Sequence, residues 1–144
     1  MRRIARQLRP EALEDLGLHS ALAALATSFG EQAHIRVDRR LEAGLPLTEE
    51  QELVVYRVAQ EALTNVARHA GAKRVDLELE RRGDQIRLIV RDDGRGITWS
   101  DRSSSHGIRG MRERAMLMGA DLTVDGDRGR DTTVALTIPT EPTP

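Results

Sequence analysis

The side chains best suited to chemistry in this sequence recur at helical spacing within residues 48–70. Glu61, Asn65 and His69 stand at positions i, i+4 and i+8, so a helix would align a carboxylate, an amide and an imidazole. A solvated helix face more often carries salt-bridging Lys and Glu. Ordinary surface polarity would also produce three polar residues at this period, so the rest of the chain must decide between the two readings.

The helix that would carry this stripe has clear signals at both ends. Thr48 can cap its start together with Gln51, and Gly71 follows its last periodic residue. One wide apolar face lies beside the stripe, formed by Val54, Val55, Val58, Ala59, Ala62, Leu63 and Val66. The pattern predicts a helix over 48–70 with its polar stripe at the border of the core.

Two glycine-rich segments could approach a ligand closely. Asp92-Asp93-Gly94-Arg95-Gly96 follows a predicted strand directly, where glycines let the backbone turn sharply and leave main-chain atoms accessible. Gly107 to Met111 opens a predicted helix, whose first N–H groups form an anion site. A turn explains the first segment about as well, and a flexible loop entering a helix explains the second.

Composition limits the possible functions. The chain has 144 residues, 39% of them hydrophobic, a net charge of -1 and no cysteine. A core of real size is therefore expected, whereas the charge balance argues against nucleic acid and the absence of cysteine excludes disulfides and thiolate metal sites. Neither a signal peptide nor a long apolar run is evident, and with a single Trp, Tyr and Phe the core must be aliphatic.

The remaining elements follow from apolar periodicity. Helices are predicted over 18–32 and from Gly107 to Gly119, and residues 97–106, with the single Trp99, are predicted as a mobile loop. Strands are predicted over 35–41, 75–79, 86–90, 122–124 and 132–138, the second and third joined by a turn at Gly83. These elements predict an α/β two-layer sandwich in which three main helices cover one face of a mixed, mostly antiparallel five-stranded sheet.

The order of the motifs is more specific than any one of them. The stretches EALTNVARHA, DDGRG, HGIRGMRERA and TTVALTIP resemble the N, G1, G2 and final-strand motifs of the GHKL (Bergerat) ATP-binding domain of sensor histidine kinases, gyrase B and MutL. The resemblance covers roughly residues 17–139. It is strongest to sensor kinases of the nitrate-sensor and desaturase-sensor type, in which LRPEALEDLGLHSAL is similar to the join between dimerisation helices and catalytic domain.

The resemblance implies roles for individual residues. Asn65 would bind Mg²⁺, and Glu61 would orient the metal's waters or act as base. Asp92 would accept the adenine amino proton, with support from Thr132 through a water. The remaining implied nucleotide contacts are Gly94 and Gly96 near the base, and His106, Gly107, Gly110 and Met111 at the phosphate-facing helix. Arg68 and His69 could add charge near the phosphates, while Asp131 departs from the family's usual Gly.

The resemblance also implies an organisation and a set of partners. Residues 1–16 would be the tail of an upstream dimerisation helix and its join, 17–139 the catalytic domain and 140–144 a tail. The acceptor histidine of such kinases lies on the upstream helix in an HD or HE context, which His19, His34, His69 and His106 lack. The chain alone is therefore expected to bind ATP without phosphorylating itself. Its expected partners are those helices in a cytoplasmic homodimer, membrane-anchored or not, and a response regulator.

Two other functions remain open from the sequence. A serine kinase of the anti-sigma-factor type shares this fold and ATP site, although the LRPEALEDLGL join argues against it. A non-catalytic interaction module switched by ATP would use the same nucleotide contacts.

Overall fold

A computed structural model of the protein describes residues 10–94, 106–126 and 132–140, and of these it describes residues 69–70 and 106–108 by their backbone alone. Over these ranges it contains helix α1 (Glu11–Ala33), strand β1 (Arg36–Leu41), helix α2 (Glu49–Asn65) with a π-helical turn (Val66–Ala70), strands β2 (Arg74–Arg82) and β3 (Gln85–Asp92), helix α3 (His106–Leu117), and strands β4 (Asp121–Asp125) and β5 (Thr132–Pro139). The predicted α/β class is confirmed.

The sheet is mixed and mostly antiparallel, as predicted. Its strand order is β1-β2-β3-β5-β4. Only the β1–β2 pair is parallel among the pairings of the described residues, and the register places Val37 opposite Val75. The other three pairings are antiparallel, and Asp92 at the end of β3 lies opposite Thr132 at the start of β5.

The alternation of the strands decides which face of the sheet is buried. Val75, Leu77 and Leu79 of β2 are buried, while the charged residues between them are half-buried or exposed. On β3 the same alternation buries Ile86, Leu88 and Val90. The apolar face of the sheet therefore packs against the helix layer, and the opposite face carries the charged side chains. In the described ranges no helix has the length and apolar character required to cross a membrane.

Helix α2 lies centrally in the helix layer, in contact with α1, α3 and the sheet. Its first turn has the predicted capping box, in which Thr48 and Gln51 exchange side-chain to backbone hydrogen bonds of 3.1 and 2.9 Å. The predicted apolar face is buried along its whole length. Gly71 ends the segment with a φ of 61°, a left-handed conformation that glycine adopts without strain.

The last turn of the predicted helix differs from the prediction. Val66–Ala70 forms a π-helical turn instead of continuing α2. A π-turn bonds residue i to i+5, so the α-helical spacing on which the predicted stripe rests applies from Glu61 to Asn65 and gives way to π-helical spacing after Asn65.

Helix α1 begins seven residues before the predicted start at Leu18. It runs from Glu11 and is broken at Gly17, where φ is 81° and ψ is 169°. Leu13 and Leu18, on either side of the break, are both buried, whereas Leu16 is 55% exposed. Pro10 stands just before the first helical residue, and Leu13 in the first turn already belongs to the core.

Candidate functional site

A pocket opens between helices α2 and α3 and the β4–β5 edge of the sheet. Its lining combines apolar side chains with two polar residues of α2, namely Val58, Glu61, Ala62, Asn65, Met111, Leu122, Val124 and Val134. The space measures about 230 Å³ including its open mouth. An apolar pocket with a few polar groups at its border is the usual form of a small-molecule site.

Three polar side chains are buried among the described residues, and all three belong to the predicted site. Asn65 is 9% exposed, Asp92 is 4% exposed and Thr132 is 6% exposed. Asp92 and Thr132 are direct cross-strand partners, and their strand positions face the helix layer. Val134, a wall residue of the pocket, stands two positions along β5 from Thr132, which is about 7 Å in a strand. The sheet therefore brings Asp92 and Thr132 together beside the pocket.

The hydroxyl of Thr132 lacks a hydrogen-bond partner within the described part of the protein, although its Oγ1 is fully buried. Leaving a buried hydroxyl unpaired costs about 1 to 3 kcal/mol, so such groups are rare unless a ligand or water completes them. Its neighbour Asp92 is a carboxylate. This pair can hold a water or a ligand donor at the end of β3 and β5.

The turn after β3 begins with hydrogen bonds made by both aspartates. The Gly94 N–H donates to Asp92 Oδ1 at 2.8 Å, which closes a tight turn. Oδ1 of Asp93 accepts the N–H groups of Lys73 and Arg74 at 2.9 and 3.0 Å. The N–H of Asp93 in turn donates to the carbonyl of Arg74 at 3.2 Å. The Asp92 carboxylate therefore bonds within the turn, whereas the Asp93 carboxylate bonds to the backbone at the start of β2.

The pKa of Asp93 lies below its ordinary value of 3.8. The largest cause is the hydrogen bond from the Arg74 N–H, followed by the bond from Lys73, and the Arg74 guanidinium adds a smaller electrostatic effect. These contacts stabilise the charged carboxylate.

Glu61 and Asn65 both line the pocket from α2. Glu61 is half-buried, so its carboxylate borders both pocket and solvent. Asn65 is the last α-helical residue before the π-turn, and such turns are frequent at functional sites. Arg68 is exposed on that turn, and the side chain of His69 lies outside the described part of the structure.

Helix α3 supplies the other side of the pocket. It begins at His106, so Gly107 is its second residue and belongs to the four whose N–H groups a helix leaves unpaired. Gly110 is the fifth residue, and a Cβ built on it would meet nothing within 4 Å. Met111 lines the pocket from this helix, and its nucleotide contact stays a prediction.

Several predicted features lie outside the described residues. These are Gly96, Trp99 with its loop, Asp131 and the side chain of His106. Their roles stay predictions.

The apolar wall of the pocket was not predicted from the sequence. Val58 and Ala62 were predicted only as core residues of the helix, and Leu122, Val124 and Val134 only as strand residues. Helical spacing could have placed Val58 and Ala62 beside Glu61 and Asn65. Placing the β-strand residues in the pocket wall requires the strand order of the sheet, which local sequence patterns do not contain.

The sequence matches the family of histidine kinase-, DNA gyrase B- and HSP90-like ATPases over residues 50–142. The signal transduction histidine-protein kinase/phosphatase UhpB of Salmonella typhimurium is 33% identical over 141 residues, which are 94% of this chain and 28% of UhpB. The histidine-protein kinase/phosphatase DegS of Brevibacillus brevis is 32% identical, covering 96% of this chain and 36% of DegS. The chain thus spans about a third of the length of these two relatives.

Solved structures agree with these matches. The histidine kinase domain of a blue-light activated histidine kinase from Erythrobacter litoralis superposes with a TM-score of 0.73 at 27% identity, covering 85% of this chain and 60% of that chain. The histidine kinase AdeS of Acinetobacter baumannii gives a TM-score of 0.72 at 14% identity, covering 96% of this chain and 76% of that chain, which supports the fold alone. With the matched family covering residues 50–142 and the aligned relatives being histidine kinases, this chain belongs to the histidine kinase-, DNA gyrase B- and HSP90-like ATPases, as an ATP-binding domain of the histidine kinase type.

Proposed function

We propose that this chain binds Mg-ATP and directs the γ-phosphoryl group to a histidine on an upstream dimerisation helix, for relay to a response regulator. The observation that carries the proposal is the burial of Asn65, Asp92 and Thr132 beside one apolar pocket. Burying a polar group opposes folding unless it is paired, and the buried Thr132 Oγ1 has no partner within the described residues, which favours a binding role over a structural one at this place.

The base would be recognised by Asp92 and Thr132. Asp92 would accept a hydrogen bond from the exocyclic amino group of adenine, and the orphaned Thr132 Oγ1 would bind a water shared with the base. Guanine carries a carbonyl in place of that amino group and would meet the carboxylate unfavourably. The apolar wall that includes Met111 and Val134 would contact the base in the pocket.

The triphosphate end would be handled by α2 and α3. The amide oxygen of Asn65 is a hard neutral ligand suited to Mg²⁺, an ion that usually keeps waters and substrate phosphates as its other ligands. Glu61 would orient a metal-bound water or accept a proton from the attacking group. Bound Mg²⁺ would neutralise charge developing on the transferred phosphoryl group. The unpaired N–H groups at the start of α3, including that of Gly107, would bind phosphate oxygens.

The acceptor histidine is proposed to lie outside this chain. His19 is exposed on α1, followed by Ser20, and His34 ends the same helix with a φ of 57°. Neither histidine has the acidic neighbour that assists the acceptor in this group of kinases. We propose residues 17–139 as the catalytic domain of a cytoplasmic homodimeric kinase, with 1–16 as the join, which packs on the domain through Leu13, and 140–144 as a tail.

A phosphotransfer assay tests the proposal. The chain is joined to upstream dimerisation helices that carry a histidine in an HD or HE context, and incubated with radiolabelled Mg-ATP. Acid-labile, alkali-stable phosphate on the added helices is the expected result. The matched controls are Asn65→Ala and a version lacking the acceptor histidine, and both should remain unlabelled.

Other results in the same assay would favour the alternatives. Acid-stable phosphate on an added protein substrate would favour a serine kinase of the anti-sigma-factor type. Tight Mg-ATP binding without label on any protein would favour an ATP-switched interaction module. A chain that fails to bind Mg-ATP in calorimetry would contradict all three functions.

A further inference from the structure

Asp93 connects the proposed base site to the start of strand β2. Three hydrogen bonds connect it to Lys73 and Arg74, two accepted by its Oδ1 and one donated by its own N–H. The 73–74 segment begins only three residues after the π-turn that follows Asn65. Asp93 itself follows Asp92 directly, so its side chain ties the end of β3, where the base is proposed to bind, to the segment that leads from the π-turn into β2.

These contacts extend the β2–β3 ladder beyond its last pair. Val75 is the register partner of Asp92, and Asp93 continues across to Arg74 and Lys73 through its side chain. The backbone on the C-terminal side of Asp92 is thereby held in one orientation. Since the Gly94 N–H must reach Asp92 Oδ1, rotation at residue 93 would move the donor that fixes the Asp92 carboxylate.

We propose that Asp93 is a positioning residue for base recognition, which orients the Asp92 carboxylate without touching the nucleotide. The inference rests on the proposed function, because it requires Asp92 to bind the adenine amino group. The carboxylate of Asp93 is exposed and yet accepts two backbone N–H groups on a neighbouring strand. A role in holding the turn after β3 explains why an exposed carboxylate makes these two backbone hydrogen bonds.

The test compares two ligands that differ only at the contact in question. ATP carries the exocyclic amino group, and purine riboside 5′-triphosphate lacks it while keeping the ring and the phosphates. Both are titrated with Mg²⁺ into the full chain and its variants, by competition against a fluorescent ATP analogue, well below each variant's melting temperature. The ratio of the two affinities then reports on the Asp92 contact alone.

Asp93→Ala should lower the affinity for ATP about tenfold, as expected for loss of a hydrogen bond to a charged group, and leave the analogue nearly unchanged. Asp93→Asn keeps an acceptor oxygen and should recover most of the ATP preference. Glu42→Ala is the matched control, because Glu42 Oε1 accepts the Arg81 N–H at 3.1 Å near the opposite end of β2. It removes a similar carboxylate to backbone bond remote from the pocket and should keep the wild-type ratio.

Each alternative result has a distinct meaning. Asp93→Ala with the wild-type ATP preference would overturn the positioning role while leaving the proposed function intact. An equal loss for both ligands would also overturn it, since the effect would not pass through Asp92. A wild-type chain that binds both ligands equally would contradict the adenine assignment itself, and the inference with it.

Discussion

At the scale of single residues, the site is distinguished by buried polar side chains in a domain whose core is otherwise hydrophobic. The buried residues of the core cluster are all hydrophobic, whereas Asn65, Asp92 and Thr132 bring an amide, a carboxylate and a hydroxyl to less than a tenth exposure. Such groups reduce the stability of the protein without ligand unless they are paired. Among them, the Thr132 Oγ1 lacks a partner within the described residues, so its removal should change stability and binding in opposite directions.

Thr132→Val tests that opposition. Valine has the same shape and replaces the unpaired Oγ1 with a methyl group, so we expect the free energy of unfolding to rise by about 1 kcal/mol. The affinity for Mg-ATP should fall, because the hydroxyl can no longer hold the bridging water. Chemical denaturation and calorimetry measure the two effects. Thr133→Val on the opposite face of β5 is the control, and a Thr132→Val protein that binds ATP normally would exclude a role for the hydroxyl.

Asp92→Asn should weaken Mg-ATP binding by about 1 to 3 kcal/mol, since its amide can present a donor to the adenine amino group. The matched control is Asp84→Asn at the exposed β2–β3 turn, where the backbone carbonyl, not the side chain, accepts the bonds from Thr140. Calorimetry of both variants with Mg-ATP decides the matter. Equal affinities in the two variants would remove Asp92 from the base site.

At the scale of elements, sequence patterns correctly predicted those features that depend on interactions between residues close together in the chain. The capping box of α2, the stop at Gly71 and the alternation of β2 and β3 all depend on neighbours within a few residues, and each was predicted. The π-turn at Val66–Ala70 was missed because its sequence continues the helical period. The start of α1 was missed because the non-helical Gly17 shifts the phase between Leu13 and Leu18.

The turn after β3 should make stability depend on pH. The pKa of Asp93 is lowered in the folded state, so its contribution is present above the unfolded value near 3.8 and is lost as pH falls through the lower folded value. We expect wild type to exceed Asp93→Asn in melting temperature at pH 7, and the difference to shrink below about pH 4. Because Asp93 is exposed, the effect should be small and reduced by salt. A difference that stays constant from pH 7 to pH 2.5 would contradict this account.

At the scale of the whole molecule, the site exists only because distant parts of the chain meet. Asn65 comes from α2, Met111 from α3, and Asp92 and Thr132 from strands that are 40 residues apart in sequence yet adjacent in the sheet. No local pattern contains the β3–β5 pairing or the parallel β1–β2 pair. The order of the motifs predicted the site through family resemblance, whereas the apolar walls from β4 and β5 required the strand order.

The extent of the folding unit gives a last prediction. Residues 11–16 were predicted to belong to the join, but Leu13 is 1% exposed and forms part of the core, while Leu16 one turn later is 55% exposed. If this segment is integral to the domain, Leu13→Ala should destabilise it by about 2 to 5 kcal/mol, as for other buried leucines. Leu16→Ala should change stability by less than about 0.5 kcal/mol. Urea denaturation measures the free energy of unfolding of both variants, whose substituted residues are one turn apart in the same helix. Equal, small effects would mean that the segment only rests on a domain that begins at Gly17, whereas the expected difference would make residues 11–16 part of the folding unit.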